Sequence, residues 1–502
     1  MKTHYCIENA PEGPAAGQSS PHHTQPSVLQ PSPRTPMPTK QELLDFLAPF
    51  DQTHLLRFWD ELTPERQQSF AEQLKAVNWQ KVTAWAKDAA AGNGPDIPFD
   101  KLVPAQYVSL NPSTDDERTR LQQATAHGVE LLKAGKVAGF TVAGGQGTRL
   151  GYDAPKGTYP VSELQHKSLF QLFAESILRN QQKYGCVIPW YIMTSKINDQ
   201  ATRQFFADNH YFGLDPKNVM LFAQGTLPAI DPDGHALLAD RDSLALSPNG
   251  HGGSFAALLD SGALDDMERR GVTILSYWQV DNPLIKTMDP LFIGLHDLTG
   301  SDMSSRALIK RDPLEKLGHF CLLDGKLVIV EYSDMPNDLL QRKDPDGKLT
   351  FRAGSPAMHV ISRDFIRHVA TGNAGFTPHV AHKKVPYINE QGELVKPDAP
   401  NAIKLEFFLF DALPLAHSPL ILEASRDEQF APVKNAQGDD SPDSCRAALN
   451  ARAHKWLAQA GITAPADTII ELSPRSFVDA QDVAERRELF ADLKPGTSRY
   501  FE

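Results

Sequence analysis

At 502 residues, 41% of them hydrophobic and 22% charged, the chain has a globular composition and is too long for one ordinary domain. Its net charge of −12 excludes a sequence-independent nucleic-acid binder, which needs a basic surface, but not a nucleotide substrate, for which a few local cations suffice. Four scattered cysteines without a Cys-x-x-Cys pair, no apolar run near the ~18 residues of a membrane span and no secretion signal point to a cytoplasmic protein with no membrane partner.

Residues 1–38 are rich in Pro, Ser, Gln and His and read as a disordered tail. Short helices follow, making a helical region over 39–104. Leu43, Leu44, Phe46 and Leu47 form one apolar face, and Leu55, Leu56, Phe58, Trp59 and Leu62 another. Thr63-Pro64-Glu65 opens a third helix with proline at its first position. The turn-rich run Ala91-Gly92-Asn93-Gly94-Pro95 closes this part.

Residues 105–430 read as the main domain. Thr114 and Glu117 fit a capping box, and the helix they open stops near Gly135. Strands are expected at 137–142, 187–193, 219–222 and 272–280, and helices at 168–184, 199–209 and 253–270. Such alternation indicates an α/β fold with a mixed, mostly parallel sheet covered on both faces. Beyond Ser301, two β-rich runs joined by Asp324-Gly325 form a hairpin. A small C-terminal domain over 431–502 holds a helix at 444–461 and a strand at 468–472.

The segment Ala143-Gly144-Gly145-Gln146-Gly147-Thr148-Arg149-Leu150-Gly151, with Pro155-Lys156-Gly157 behind it, carries the most information. Glycines directly after a buried strand let backbone N–H groups approach a phosphate, and Arg149 and Lys156 add two cations. Leu150 breaks a dinucleotide-binding Gly-x-Gly-x-x-Gly pattern, and a Gly-Lys-Ser/Thr triplet is missing. Three features fall at the carboxyl ends of strands, where α/β sheets bind ligands: this loop, Gln224-Gly225 and Asp281.

This loop resembles the signature of the eukaryotic-type UDP-sugar pyrophosphorylases, nearest the UDP-N-acetylglucosamine branch. The similarity runs on through Gln224-Gly225-Thr226-Leu227-Pro228, Val280-Asp281-Asn282, Val330-Glu331-Tyr332, His379-Val380-Ala381-His382-Lys383-Lys384 and Pro432-Val433-Lys434-Asn435-Ala436. It implies a GT-A-like, Rossmann-related nucleotidyltransferase core, with UTP and a sugar 1-phosphate as substrates and Mg²⁺ or Mn²⁺ as cofactor. It also implies the roles. Arg149, Lys156 and Lys434 would be catalytic; Gly144, Gly145, Gln224, Gly250 and Lys404 would bind UTP. His251, Gly318, Glu331 and Ser355 would face the sugar, and Asp281 the metal. The expected assembly is a monomer or weak homo-oligomer.

Two residues depart from the family. His251 and Ser355 stand where it has asparagines on the sugar side, and each changes the hydrogen bonds on offer. N-acetylglucosamine 1-phosphate is the favoured sugar substrate. A glucose- or galactose-type sugar 1-phosphate is one alternative, and an inactive UDP-sugar-binding protein another.

Overall fold

The computed structural model describes residues 37–90, 97–372 and 376–502. The tail expected over 1–38, apart from its last two residues, lies outside the described residues, as does the turn at 91–95. No described helix is long and apolar enough to cross a membrane.

The N-terminal helices begin where their caps are. Thr39 accepts from the Glu42 N–H while the Glu42 carboxylate accepts from the Thr39 N–H, opening helix Lys40–Leu47. Thr63 caps Pro64–Ala76, with proline at the first position. Leu55, Leu56 and Trp59 lie in the 3-10 turns Thr53–Leu56 and Trp59–Glu61 rather than on an α-helix. They pack with Leu43, Leu47, Phe70, Leu74 and Trp79 into a separate hydrophobic core.

The centre of the molecule is an eleven-stranded mixed sheet. Its strands are β1 (Val103–Pro104), β2 (Val137–Val142), β3 (Trp190–Thr194), β4 (Val219–Ala223), β5 (Ile274–Gln279) and β6 (Met303–Ile309). They continue as β7 (Gly318–Leu323), β8 (Lys326–Val330), β9 (Ala353–Ser355), β10 (His359–Ser362) and β11 (Leu420–Glu423). In spatial order, β5, β2, β3 and β4 run parallel to one another. Every residue of β2 is buried, as expected of a parallel strand covered on both faces. The half of the sheet containing β10, β6, β9 and β7 is antiparallel, with β11 added parallel to β6.

The hairpin expected at Asp324-Gly325 joins β7 to β8, both turn residues having positive φ (49° and 79°). Strand β3 starts at Trp190, later than expected, because Pro189 has no N–H for the ladder. The single helix expected over 253–270 is two, Ser254–Asp260 and Ala263–Arg270, broken by Gly262 at φ 76°.

The C-terminal part has its own core around Trp456, Leu457, Ile470, Phe477 and Phe490. Helix Pro442–Gln459 covers Ile469–Leu472, which pairs in parallel with Ser498–Phe501, a strand the sequence did not reveal. This unit grips helix Leu169–Tyr184 and the turn before it through ions. Lys167 meets Glu502 at 3.7 Å, Arg179 meets Asp482 at 2.5 Å, and Lys183 meets Asp479 at 2.6 Å.

Candidate active site

Because β2 to β5 run in one direction, the segments following them leave from one edge of the sheet. After β2, the Ala143 N–H still bonds to Met193, and the chain then turns through the glycines. A Cβ on Gly144 would lie 3.3 Å from the Gln224 side-chain oxygen, so the loop and the residue after β4 are in close approach. Gln224 is in turn adjacent to Gly225, whose carbonyl accepts from the Asn249 N–H at 3.1 Å. Gly250 follows with φ 81°, and a Cβ there would fall 2.4 Å from the Phe407 carbonyl oxygen, so only glycine fits. The structure thus gathers Gly144, Gln224 and Gly250 on one side of the cleft.

Lys156 is tied to the glycine loop by its own N–H, which donates to the Gly145 carbonyl at 3.1 Å. Its ammonium lies 3.2 Å from Asp281, just beyond β5, and both side chains are largely buried. The Asp281 carbonyl accepts from the Val433 N–H, which brings Lys434 to the same floor. The Lys434 ammonium lies 3.7 Å from Asp440. Burial, with the Asp281 charge adding to it, raises the Asp440 carboxyl above its usual range. Arg149 is exposed in the turn Thr148–Leu150 and has no ion-pair partner among the described residues. Lys404 sits on strand Ala402–Glu406 opposite Ala381 and is absent from the lining of the cavity described next.

A cavity of about 230 Å³ opens beside the ionic floor. It is lined by His251, Gly318, Glu331 and Ser355 together with Asp281 and Lys434, residues brought from five separate parts of the chain. Gly318 on β7 is directly opposite Ser355 on β9. A Cβ at Gly318 would come 2.7 Å from the Ile329 side chain and 3.4 Å from the Glu331 carboxylate, so the Gly318 backbone packs close beside both. Burial raises the Glu331 carboxyl above its usual value; the Asp334 charge adds to this and His379 opposes it.

His251 forms a wall of the cavity. Its ring stacks on Phe408 at 5.5 Å and 14°, and its Nδ1 accepts the Leu409 N–H at 3.2 Å. Burial, reinforced by the nearby His379, pushes its pKa down to about 4, so the ring is neutral with its proton on Nε2. Behind Phe408 lies His379, ring to ring at 4.4 Å, bonded to Asp411 at 2.8 Å. Burial opposes a charge on His379, but the hydrogen bond and charge of Asp411 prevail and raise its pKa.

Lys316 and Phe410 also line the cavity and were not among the expected site residues. The run Phe407-Phe408-Leu409-Phe410 is the sequence signal that could have flagged the aromatic wall. Two other cavities, of about 290 and 280 Å³, lie between helix Pro442–Gln459 and the core and hold none of the expected residues.

Comparison with known proteins places the chain in a family. The family model described as UTP–glucose-1-phosphate uridylyltransferase matches residues 98–497. The human UDP-N-acetylhexosamine pyrophosphorylase-like protein 1 is 38% identical, over 85% of this chain and 87% of its own. The UDP-N-acetylglucosamine pyrophosphorylase of Saccharomyces cerevisiae is 35% identical, over 86% of this chain and 94% of its own. Among solved structures, the uridine diphosphate N-acetylglucosamine pyrophosphorylase of Trypanosoma brucei superimposes with a TM-score of 0.80 at 25% identity. The match covers 94% of this chain and 99% of that one. The glycine loop, the ionic floor and the match over four-fifths of the sequence lead to one conclusion: the chain belongs to the UTP–glucose-1-phosphate uridylyltransferase family.

Proposed function

We propose that this chain joins UTP to a sugar 1-phosphate, with N-acetylglucosamine 1-phosphate preferred, giving a UDP-sugar and pyrophosphate. One observation carries the reading: the ionic floor of Lys156, Asp281 and Lys434 lies between a glycine loop and a polar cavity of sugar size. A nucleotide on the loop and a sugar in the cavity would bring their phosphates together over that floor.

A phosphate oxygen of the sugar attacks the α-phosphorus of UTP. The new O–P bond forms as the bond to the β-phosphate oxygen breaks, and pyrophosphate leaves with that oxygen. No protein nucleophile is needed; positioning and charge supply the catalysis. The Gln224 amide can donate to and accept from the imide edge of uracil, beside the backbone at Gly144, Gly145 and Gly250. Arg149 and Lys156 hold the outer phosphates, and Lys434 stabilises charge at the reacting one. His251, Glu331, Ser355 and the Gly318 backbone hold the sugar.

Asp281 suits Mg²⁺ or Mn²⁺. No cluster of three or more His, Cys, Asp or Glu able to hold a metal occurs among the described residues, so a cation would take further ligands from substrate phosphates and water. Bound there, it would neutralise phosphate charge. We place the protein in the cytoplasm, where its free thiols Cys186, Cys321 and Cys445 stay reduced.

The test is pyrophosphate release from UTP with a panel of sugar 1-phosphates. Turnover fastest with N-acetylglucosamine 1-phosphate supports the reading. Turnover with glucose 1-phosphate and none with N-acetylglucosamine 1-phosphate reassigns the sugar. UDP-sugar binding without turnover on any sugar makes the protein a binder.

A further inference from the structure

Asn198 is completely buried, and both ends of its amide are engaged. Its Oδ1 accepts from the Ser195 N–H at 2.8 Å and the Ser195 hydroxyl at 3.0 Å. Its Nδ2 donates to the carbonyls of Ala143 at 3.0 Å and Gly145 at 3.2 Å. Asn198 also occupies the N-cap of helix Asp199–Asp208, where asparagine ordinarily accepts from the first turn, yet it makes no such bond. The side chain is diverted from its own helix to the glycine loop.

We propose that Asn198 is a positioning residue that aims the N–H groups of the glycine loop at the nucleotide. A trans peptide is planar, with its C=O and N–H pointing in opposite directions. Holding the Ala143 carbonyl therefore turns the Gly144 N–H away from Asn198. Holding the Gly145 carbonyl does the same to the Gln146 N–H. Among the described residues, none of the N–H groups of Gly144, Gly145 and Gln146 has an acceptor. A Cβ on Gly145 would have nothing within 4 Å, so the loop is open on that side. Successive free N–H groups in a loop form a concavity for anionic or carbonyl oxygen.

The same Gly145 carbonyl also accepts the Lys156 N–H at 3.1 Å. Asn198 thus ties three things together: the end of β3, the glycine loop and the backbone of a phosphate-facing lysine. Only an amide meets the demand, since it offers an acceptor to Ser195 and two donors to the loop at once. The proposal rests on the uridylyl-transfer reading and adds a residue that reading did not contain.

Two substitutions separate positioning from folding. Asn198→Asp keeps the acceptor for Ser195 but turns a carboxylate oxygen toward two carbonyls. Asn198→Ser supplies a good N-cap for the helix and cannot reach both carbonyls with donors. In each, the KM for UTP and the calorimetric Kd for UTP should rise roughly tenfold or more, the scale of losing buried hydrogen bonds. The KM for the sugar 1-phosphate should stay within about twofold, and Asn198→Ser, which keeps a helix cap, should melt cooperatively and lose less stability than Asn198→Asp. UTP affinity unchanged in Asn198→Ser, or equal losses for both substrates, overturns the proposal. Failure of the wild-type protein to bind UTP overturns the uridylyl-transfer reading instead.

Discussion

Lys156 and Asp281 form an ion pair of 3.2 Å on the floor of the cleft, although 125 residues separate them in sequence. The pairing keeps a lysine and a carboxylate from standing alone in a largely buried place, where an unpaired charge is costly. It also sets out the two charges that a nucleotide and its metal would take up, the lysine for phosphate and the carboxylate for the cation.

Removing either cation beside the loop should therefore be severe. Lys156→Ala and Arg149→Ala should each lower kcat by about 10²–10³, as loss of a charge aimed at developing negative charge does. Asp281→Asn should raise the Mg²⁺ concentration needed for half-maximal turnover. Steady-state rates against UTP and metal check all three; near-normal turnover in Lys156→Ala removes it from the site.

The neutral His251 ring offers the cavity one fixed donor, because Nδ1 is occupied by the Leu409 N–H. An asparagine there could both donate and accept. His251→Asn should shift the ratio of kcat/KM for N-acetylglucosamine 1-phosphate over glucose 1-phosphate by about tenfold, toward the acetamido sugar, the scale of one gained polar contact. An unchanged ratio counts against a sugar contact at this position.

Acid should unfold the protein well above the ordinary carboxylate range. Burial lowers the pKa of His251, His296 and His319 to about 4 and that of His359 to about 3. Their folded values lie below the unfolded value near 6.5, so the unfolded chain binds more protons. Stability from these groups is fully present above pH ~6.5 and is lost as the pH falls toward 4, at about 1.4 kcal/mol per pH unit for each histidine. Melting temperature measured from pH 8 to 4.5 should fall steeply below 6.5. His359→Gln should make that fall shallower.

Lys167 joins Glu175, Ser473 and Tyr500 where the C-terminal unit meets the core. Lys167→Met leaves Glu175 buried without its cation and should cost about 3–5 kcal/mol in urea unfolding. The double variant Lys167→Met with Glu175→Leu should recover most of that loss, because an apolar pair can replace a buried ion pair. A double variant as unstable as the single one would contradict this.

The strands were legible where burial made them continuous apolar runs, as at Val137–Val142, and helices where caps marked them, as at Thr63 and Thr114. Gly262 was not read as a break, since a glycine inside a helical pattern is tolerated unless the chain turns left-handed there. The strand Ser498–Phe501 was invisible because its neighbours in space, not its own residues, make it a strand.

In the site, the glycine loop and its cations could be read from chain order alone. The run Phe407-Phe408-Leu409-Phe410 signals an aromatic cluster, but its place as a wall beside His251 depends on Gly250 packing against Phe407 from a distant segment. Asn198 was hidden for the same reason: on the chain it looks like a helix cap, and only the fold shows its amide reaching Ala143 and Gly145.

The most direct measurement follows the α-phosphorus. With UTP labelled at that atom, Mg²⁺ and N-acetylglucosamine 1-phosphate, the label should pass into UDP-N-acetylglucosamine while the pyrophosphate released stays unlabelled. Label that remains in UTP with N-acetylglucosamine 1-phosphate and with glucose 1-phosphate alike, or that appears in UMP at a rate independent of the sugar 1-phosphate, would contradict uridylyl transfer.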